Sequence, residues 1–147
     1  RGYDVLATGH NLDDEAQAIM MNIAKGNTSM LMRGGPKSAG REGLVRRVKP
    51  LYWLTEKQMK IYSLLVGAVG TFVECPYMHA SFRNEIRDIL NAYEAGHHGA
   101  KKTLVARHLE AIRAKKTADA PIQACSTCGA ACSGQVCQAC QIAANYF

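Results

Sequence analysis

The chain has no long apolar run and lacks the composition of a disordered protein. No window of its 147 residues approaches 18 consecutive apolar residues, which excludes a conventional membrane-spanning helix. The first ten residues show neither a basic flank before an apolar core nor a small-residue cleavage site, so no secretion signal is expected. Apolar residues make up 48% and charged residues 20%, which favours one folded domain with a small appendage.

The chain also has no initiator methionine. It opens at Arg1 and enters a strand-like apolar stretch within two residues. We therefore expect it to be a fragment whose upstream residues are missing.

Acidic residues are outnumbered by basic ones, 12 to 18, and the excess is concentrated in two segments. Residues 33–60 carry a net charge of +6 and residues 101–116 a net charge of +5. Such clusters either bind the phosphates of a polyanion or form ordinary solvated surfaces, and both interpretations stay open. The candidate nucleic-acid contacts are Arg33, Arg46, Arg47, Lys49, Lys101 and Lys102.

A strand and a helix joined by a tight turn are predicted at the start of the chain. Residues 3–9 form an apolar run closed by glycine, which predicts a buried parallel strand. Asn11 is a suitable N-cap for a helix that ends at Gly26. Strand, turn and helix make half of a βαβ unit, so the predicted fold class is α/β. Most of the chain is nevertheless predicted to be helical.

Further helices are predicted from capping residues and apolar spacing. Thr55 and Gln58 form a capping box, Ser81 caps a second helix, and a last helix precedes Lys116. The apolar positions expected to be buried are Ile86, Ile89, Leu90 and Tyr93 in the second helix, and Leu104, Val105, Leu109 and Ile112 in the last. Residues 33–47 are predicted to form a mobile basic loop, and residues 71–74 a short strand.

The strongest local signal is a pair of C-x-x-C motifs separated by eight residues. Two such motifs facing one another form the tetrahedral sulfur cage that zinc prefers, with no open coordination position. We predict a structural zinc site formed by Cys125, Cys128, Cys137 and Cys140, with Cys132 as a spare residue. Redox or disulfide use is the alternative. The composition shift at about residue 117 predicts two domains, 1–116 and 117–147.

The second signal is the acidic turn at the end of the first strand. His10, Asp13 and Asp14 would project beyond the carboxyl end of a parallel strand, where ligands bind in α/β sheets. Carboxylates at such a place can hold Mg²⁺ against nucleotide phosphates. The alternative is that these acids only complement the helix dipole.

These residues also carry a family resemblance. The motifs occur in the order Gly9–Ala16, Lys49–Leu51 with Glu56 and Lys57, Glu74–Pro76 before Ser81–Arg83, and the terminal C-x-x-C pairs. Over nearly all its length the chain resembles the C-terminal half of a tRNA 2-thiouridine synthetase of the PP-loop (N-type ATP pyrophosphatase) superfamily, close to the archaeal and bacterial two-zinc sulfurtransferases. The S-G-G-x-D-S phosphate loop, an N-terminal zinc finger and an upstream C-x-x-C are absent.

The resemblance implies an adenine-nucleotide alpha-hydrolase-like fold and a thiolation reaction. In that family ATP adenylates the C2 oxygen of a tRNA uridine, and sulfur displaces the activated oxygen. By resemblance, Gly9, His10 and Asp13 bind the nucleotide with Mg²⁺, while Asp13, Asp14 and Cys75 are catalytic. Cys75 also joins two upstream cysteines in holding a 4Fe-4S cluster, and the four C-terminal cysteines hold zinc. The basic segments become contacts to the tRNA backbone.

The implied partners are tRNA and a sulfur-carrier protein, ubiquitin-like or other. A homodimer is compatible with the resemblance, and no membrane is implied as a partner. The implied location is cytoplasmic, and the fragment alone is expected to be inactive because it lacks the phosphate loop. Two alternatives stay open: a stand-alone zinc-bearing RNA-binding or scaffold module, and another PP-loop enzyme such as a lysidine-forming ligase. The position of the target uridine, in the T-loop or at the wobble position, also stays open. The His10–Asp14 segment favours the T-loop type.

Overall fold

The computed structural model describes residues 2–38, 44–68, 81–115 and 122–146. Six helices and four short strands lie in these ranges. In chain order they are β1 (Val5–Ala7), α1 (Leu12–Ala24), α2 (Thr28–Leu31), β2 (Arg46–Val48), α3 (Glu56–Leu65), α4 (Phe82–Gly96), α5 (Ala100–Ala114), β3 (Gln123–Ala124), β4 (Ala131–Cys132) and α6 (Gln138–Tyr146). The described chain is therefore mostly helical. None of its described helices is long and apolar enough to span a bilayer.

The chain divides into two compact units. Unit 1 comprises Arg1–Leu6, Lys37–Val48 and Lys116–Phe147, and unit 2 comprises Ala7–Pro36 and Lys49–Lys115. The strands pair as β1 with β2 and as β3 with β4, the latter antiparallel. The C-terminal cysteines lie in unit 1, and the acidic turn after β1 lies in unit 2.

The helix starts are set by local side-chain caps, as the sequence predicts. Asn11 accepts a hydrogen bond from the backbone N–H of Asp14 at 3.0 Å, and Thr55 accepts one from Gln58 at 3.1 Å. Ser81 caps α4 in the same way through the N–H of Asn84 at 3.3 Å. Each cap satisfies a backbone donor that has no partner within the helix, so these three helices begin where a Ser, Thr or Asn occurs.

The core of unit 2 is formed where α1 packs against α4 and α5. The apolar stripe of each helix supplies side chains at spacings of three and four residues, which places them on one face. The buried cluster consists of Leu12, Ala16, Ile19, Tyr52, Ile86, Leu90, Val105 and Leu109. This packing fixes the N-terminal end of α1, and with it the acidic turn.

Two predicted burials differ from the structure. Within the described residues β1 pairs with β2 alone, and Val5 and Leu6 are 50% and 56% exposed, so the prediction of a buried strand is wrong there. In α4, Ile89 and Tyr93 are also exposed. The Tyr93 ring stacks on His97 with 4.2 Å between ring centroids.

The basic segment predicted to be a mobile loop contains β2. Lys37 bridges Val48, the N–H of Ser38 donates to the Arg47 carbonyl at 2.9 Å, and the N–H of Arg47 donates to Ser38 Oγ at 2.9 Å. These bonds join residues about ten positions apart, so local spacing did not reveal them. The predicted strand at residues 71–74 lies outside the described residues.

Candidate functional site

The turn after β1 and the first turn of α1 hold five of the residues that the sequence singles out: Gly9, His10, Asn11, Asp13 and Asp14. Gly9 and His10 are exposed there, and His10 Nδ1 lies 3.1 Å from Thr8 Oγ1. Asn11 and Asp14 form a reciprocal capping box, in which Asp14 Oδ2 accepts the N–H of Asn11 at 3.1 Å. The box fixes the first turn of α1 and leaves the His10 side chain facing solvent.

Asp14 is the acid of this turn that reaches solvent. Its side chain is 35% exposed, and its Oδ1 lies 3.5 Å from Nη1 of Arg83, at the start of α4. The same Arg83 nitrogen donates to Oε1 of the buried Gln17 at 3.3 Å. The guanidinium thus places a positive charge beside Asp14. Neither Arg83 nor Gln17 was assigned a role from the sequence, although Ser81–Arg83 forms part of the motif order.

Asp13 lies one residue away but points into the protein. Successive helical residues are rotated by roughly 100° about the axis, so adjacent acids do not form a pair on one face. Asp13 Oδ1 accepts from the Lys101 ammonium at 2.5 Å, and Oδ2 accepts the backbone N–H of Glu56 at 2.7 Å. Both of its oxygens therefore have partners within unit 2.

Lys101 and Glu94 complete a polar network around the N-terminus of α5. Lys101 Nζ donates to Asn91 Oδ1 at 2.5 Å as well as to Asp13. Glu94 accepts the backbone N–H groups of Gly99 and Lys101 at 2.7 and 2.8 Å. Burial alone would raise the pKa of Glu94, but these two N–H groups and the Lys101 charge lower that pKa below its ordinary value.

A second, partly buried ion pair joins α1 to the segment before α3. Lys49 Nζ donates to Glu15 Oε1 at 2.6 Å, and the ammonium lies 5.9 Å from the centroid of the Tyr52 ring. Burial, with the Glu15 charge as a smaller cause, raises the pKa of Tyr52 to about 12. The ammonium groups of Lys49 and Lys101 are thus each held by a carboxylate and largely covered, with side chains 13% and 10% exposed.

The four cysteines of the two C-x-x-C motifs come together in unit 1. Their sulfur atoms all lie within 4.8 Å of one another. Gly129 has a φ of +73°, the left-handed conformation that lets the chain turn back after the first pair. The backbone N–H of Cys137 donates to Cys125 Sγ at 3.2 Å, and that of Cys140 donates to Cys137 Sγ at 3.5 Å.

The environment of these sulfur atoms differs from one to the next. The backbone N–H groups of Cys137, Cys128 and Thr127 lower the pKa of Cys125 to about 6. Hydrogen bonds with the thiols of Cys137 and Cys128 raise the pKa of Cys140 to about 12. Four thiolates at this separation repel one another, and a divalent cation offsets that repulsion.

Cys132 is not part of this cluster. Its thiol donates to the Gly134 carbonyl at 2.8 Å, and its sulfur is absent from the group that could hold a metal among the described residues. The structure therefore agrees with the prediction that Cys132 is a spare residue. Cys75 lies outside the described residues.

Comparison with known proteins gives the family. The chain is 34% identical over 142 residues to the tRNA-5-methyluridine(54) 2-sulfurtransferase of Pyrococcus horikoshii, covering 95% of this chain and 46% of that protein. It is 35% identical over 138 residues to the cytoplasmic tRNA 2-thiolation protein 1 of Bos taurus, covering 93% and 40%. It also matches the solved U34-tRNA thiolase NcsA of Methanococcus maripaludis, which carries a [4Fe-4S] cluster.

That structural match has a TM-score of 0.79 and 31% identity over 97% of this chain and 45% of NcsA. Over nearly all of its length the chain is homologous to one part of the tRNA 2-thiolation proteins. No family model matches it. The predicted family and its PP-loop fold are confirmed. The chain spans about half the length of the tRNA thiolation proteins that it matches.

The exposed basic residues of the chain fall into both units. Arg46 and Arg47 are exposed in unit 1, whereas Arg33 and Lys102 are exposed in unit 2. Within unit 2, the His108 ring of α5 hydrogen-bonds the Leu31 carbonyl at 2.9 Å. The segment that carries Arg33 therefore lies against α5, the helix whose first turn carries Lys102.

Proposed function

We propose that the complete protein is an ATP-dependent tRNA 2-thiouridine synthetase and that this chain supplies part of its catalytic domain. The observation that carries the proposal is the likeness to NcsA over 97% of the chain at 31% identity. In the proposed reaction the uridine C2 oxygen attacks the α-phosphorus of ATP, and pyrophosphate leaves. Sulfur then bonds to C2, and the C2–O bond breaks as AMP departs with the oxygen.

The turn after β1 is our proposed nucleotide site. A ligand can approach the backbone closely at Gly9, because the space where a Cβ would lie has no neighbouring atom within 4 Å. His10 can donate to a phosphate, and Asp14, the exposed acid, offers a carboxylate oxygen of the kind Mg²⁺ prefers. Mg²⁺ would offset phosphate charge at this place. Asp13, which the resemblance implies to be a nucleotide-site acid, is kept in the proposed site as the buried acid of the same turn, with both of its oxygens bonded within unit 2.

Cys75 is our proposed ligand to a 4Fe-4S cluster. It is the one cysteine before residue 125, so this chain offers a single candidate ligand and the others would come from elsewhere in the complete protein. The relative NcsA carries such a cluster. With three protein ligands, a 4Fe-4S cluster keeps one iron able to take an incoming sulfur atom.

The cysteine cluster is our proposed structural Zn²⁺ site, held by Cys125, Cys128, Cys137 and Cys140. Four sulfur atoms within 4.8 Å of one another fit a tetrahedral ion with Zn–S bonds of about 2.3 Å. Four protein ligands leave no open position, so the metal would stabilise the fold of the module without taking part in the reaction. This proposal treats residues 117–147 as a zinc-binding domain and residues 1–116 as the other domain, although the compact units group Lys116–Phe147 with Arg1–Leu6 and Lys37–Val48.

The proposed partners are tRNA and a sulfur-carrier protein, in a cytoplasmic enzyme for which a homodimer is compatible. The proposed tRNA contacts are Arg33, Arg46, Arg47 and Lys102, because their charged groups are exposed. Lys49 and Lys101 are left out because their ammonium groups are held in ion pairs that are largely covered. The relatives are named for two target positions, uridine 54 and uridine 34, so the site of modification is part of the test.

The test of the function is a thiolation assay with the complete protein. Unmodified tRNA, ATP with Mg²⁺ and a sulfur donor are expected to give 2-thiouridine with release of AMP and pyrophosphate. Mass spectrometry of nuclease fragments identifies the product and its position. RNA binding without ATP-dependent product would favour the scaffold alternative, and lysidine in place of thiouridine would favour the ligase alternative.

The tRNA surface gives a separate prediction. Changing Arg46, Arg47 and Lys102 together to alanine is expected to weaken tRNA binding at all sequences alike, because phosphate contacts carry no base information. The slope of log affinity against log salt should fall by roughly one for each phosphate that the variant no longer binds. The control is Lys57→Ala with Lys60→Ala, two lysines of α3 outside the proposed surface. Equal salt slopes in both variants and wild type would make these residues ordinary solvated surface.

A further inference from the structure

The Asp13–Lys101 ion pair is the feature that joins the most elements around the acidic turn. Their side chains are 9% and 10% exposed, and the two residues are 88 positions apart in sequence. Through Asp13 Oδ2 the pair reaches the first residue of α3, Glu56. Through Lys101 Nζ it reaches Asn91 in α4. One buried pair thus connects α1, α3, α4 and α5.

Lys101 is the buried cation on which this arrangement depends. Its ammonium has oxygen acceptors on two sides, Asp13 and Asn91. Without the ammonium, the Asp13 carboxylate would be a buried charge whose remaining partner is the Glu56 N–H. A buried carboxylate that loses its cation is strongly destabilising, and without the ammonium the tie between the start of α1 and α5 is lost.

The first turn of α1 carries the proposed nucleotide contacts. Asp14 follows Asp13 directly, and His10 precedes it by three residues, joined through the capping box of Asn11. The other side-chain contact of Asp14 is with Arg83 at 3.5 Å, and that contact is half exposed. A long and exposed ion pair is weak, so Asp13 is the stronger anchor of the turn.

We propose that Lys101 is a positioning residue, which acts through Asp13 to hold His10 and Asp14 where they meet the nucleotide. The inference rests on the proposed function for the identity of that ligand. It gives Asp13 the role of anchor rather than metal ligand, because both of its oxygens are already bonded. It also separates Lys101 from the tRNA surface, so its replacement should affect ATP and not tRNA.

The test compares Lys101→Met with Lys60→Met in the complete protein. Lys60 is the matched control, since it forms an exposed ion pair with Glu56 at 2.9 Å. We expect Lys101→Met to raise the KM for ATP by roughly tenfold or more, with the KM for tRNA unchanged, because the turn is displaced. Lys60→Met should change neither KM. A purely structural loss would lower kcat through the folded fraction and leave both KM values unchanged.

Two results would contradict the positioning role of Lys101. An unchanged KM for ATP, or a parallel rise in the KM for tRNA, overturns the inference. Where Lys101→Met fails to fold, the paired variant Asp13→Asn with Lys101→Met leaves no unpaired buried charge, and the same rise in the KM for ATP is required of it.

A readout that needs no activity distinguishes this inference from the proposed function. Amide hydrogen exchange in the complete protein should be faster at Asp14 and Glu56 in Lys101→Met, and unchanged at Asp14 in Lys60→Met. If wild type fails to thiolate tRNA, the proposed function is wrong. Exchange then decides the positioning role alone, and unaltered rates at both amides overturn it.

Discussion

Serine at position 75 is expected to abolish tRNA thiolation by the complete protein. Serine oxygen is a poor ligand for an iron–sulfur cluster, so the proposed cluster should lose one of its three protein ligands. The loss should exceed the roughly 10- to 100-fold effect typical of losing a residue that only supports a metal ligand. The measurements are visible absorbance after anaerobic reconstitution and the yield of 2-thiouridine.

The matched control for Cys75→Ser is Cys132→Ser. Cys132 makes a hydrogen bond to the Gly134 carbonyl and is outside the cluster of four sulfur atoms. Its replacement should keep both the absorbance spectrum and the activity. If Cys75→Ser keeps them as well, Cys75 is an ordinary small apolar residue and the cluster has other ligands.

Removal of zinc is expected to unfold residues 122–146. The strands of this segment are two residues long, and Cys125 is the one buried side chain among those described there. So little apolar burial cannot offset the entropy of ordering the chain. A structural zinc ion contributes about 10–16 kcal/mol of binding free energy at pH 7, which makes up the difference. Either a strong chelator or Cys128→Ser should therefore produce the unfolded segment.

Elemental analysis and amide exchange test this prediction together. Freshly purified, unchelated protein should contain one zinc ion at this cluster, and Cys132→Ser should retain it. Less than half an equivalent of zinc at the cluster would argue against the site. Exchange protection of residues 122–146 that survives complete metal removal would show that the module folds without its ion.

Local features of the sequence were sufficient to predict the helix starts and the cysteine site. The caps at Asn11, Thr55 and Ser81 each involve atoms within four residues, so their bonds follow from spacing alone. The C-x-x-C spacing likewise constrains each pair of sulfur atoms, and both pairs converge. The same reasoning did not predict β2. Its partners, β1 and Lys37–Ser38, are not its neighbours in the sequence, and only the fold brings them together.

The orientation of charged side chains was the main point that spacing left undetermined. Asp13 and Asp14 look like a pair in the sequence, and Lys101 and Lys102 look alike in a basic helix. In the structure Asp13 and Lys101 face each other in the core, while Asp14 and Lys102 face outward. Each adjacent pair is divided because neighbouring helical residues point in different directions.

The sequence by itself determined the family, the class of fold, the capped helices and the set of cysteines, because ordered motifs and short-range bonds depend on residues close in the chain. The tertiary structure alone decided which basic residues are exposed and which acid is an anchor. Those properties depend on segments that meet across 34 residues for Glu15 and Lys49 and 88 residues for Asp13 and Lys101. A lysine buried against a carboxylate has the same sequence signature as one in solvent, and only packing distinguishes them.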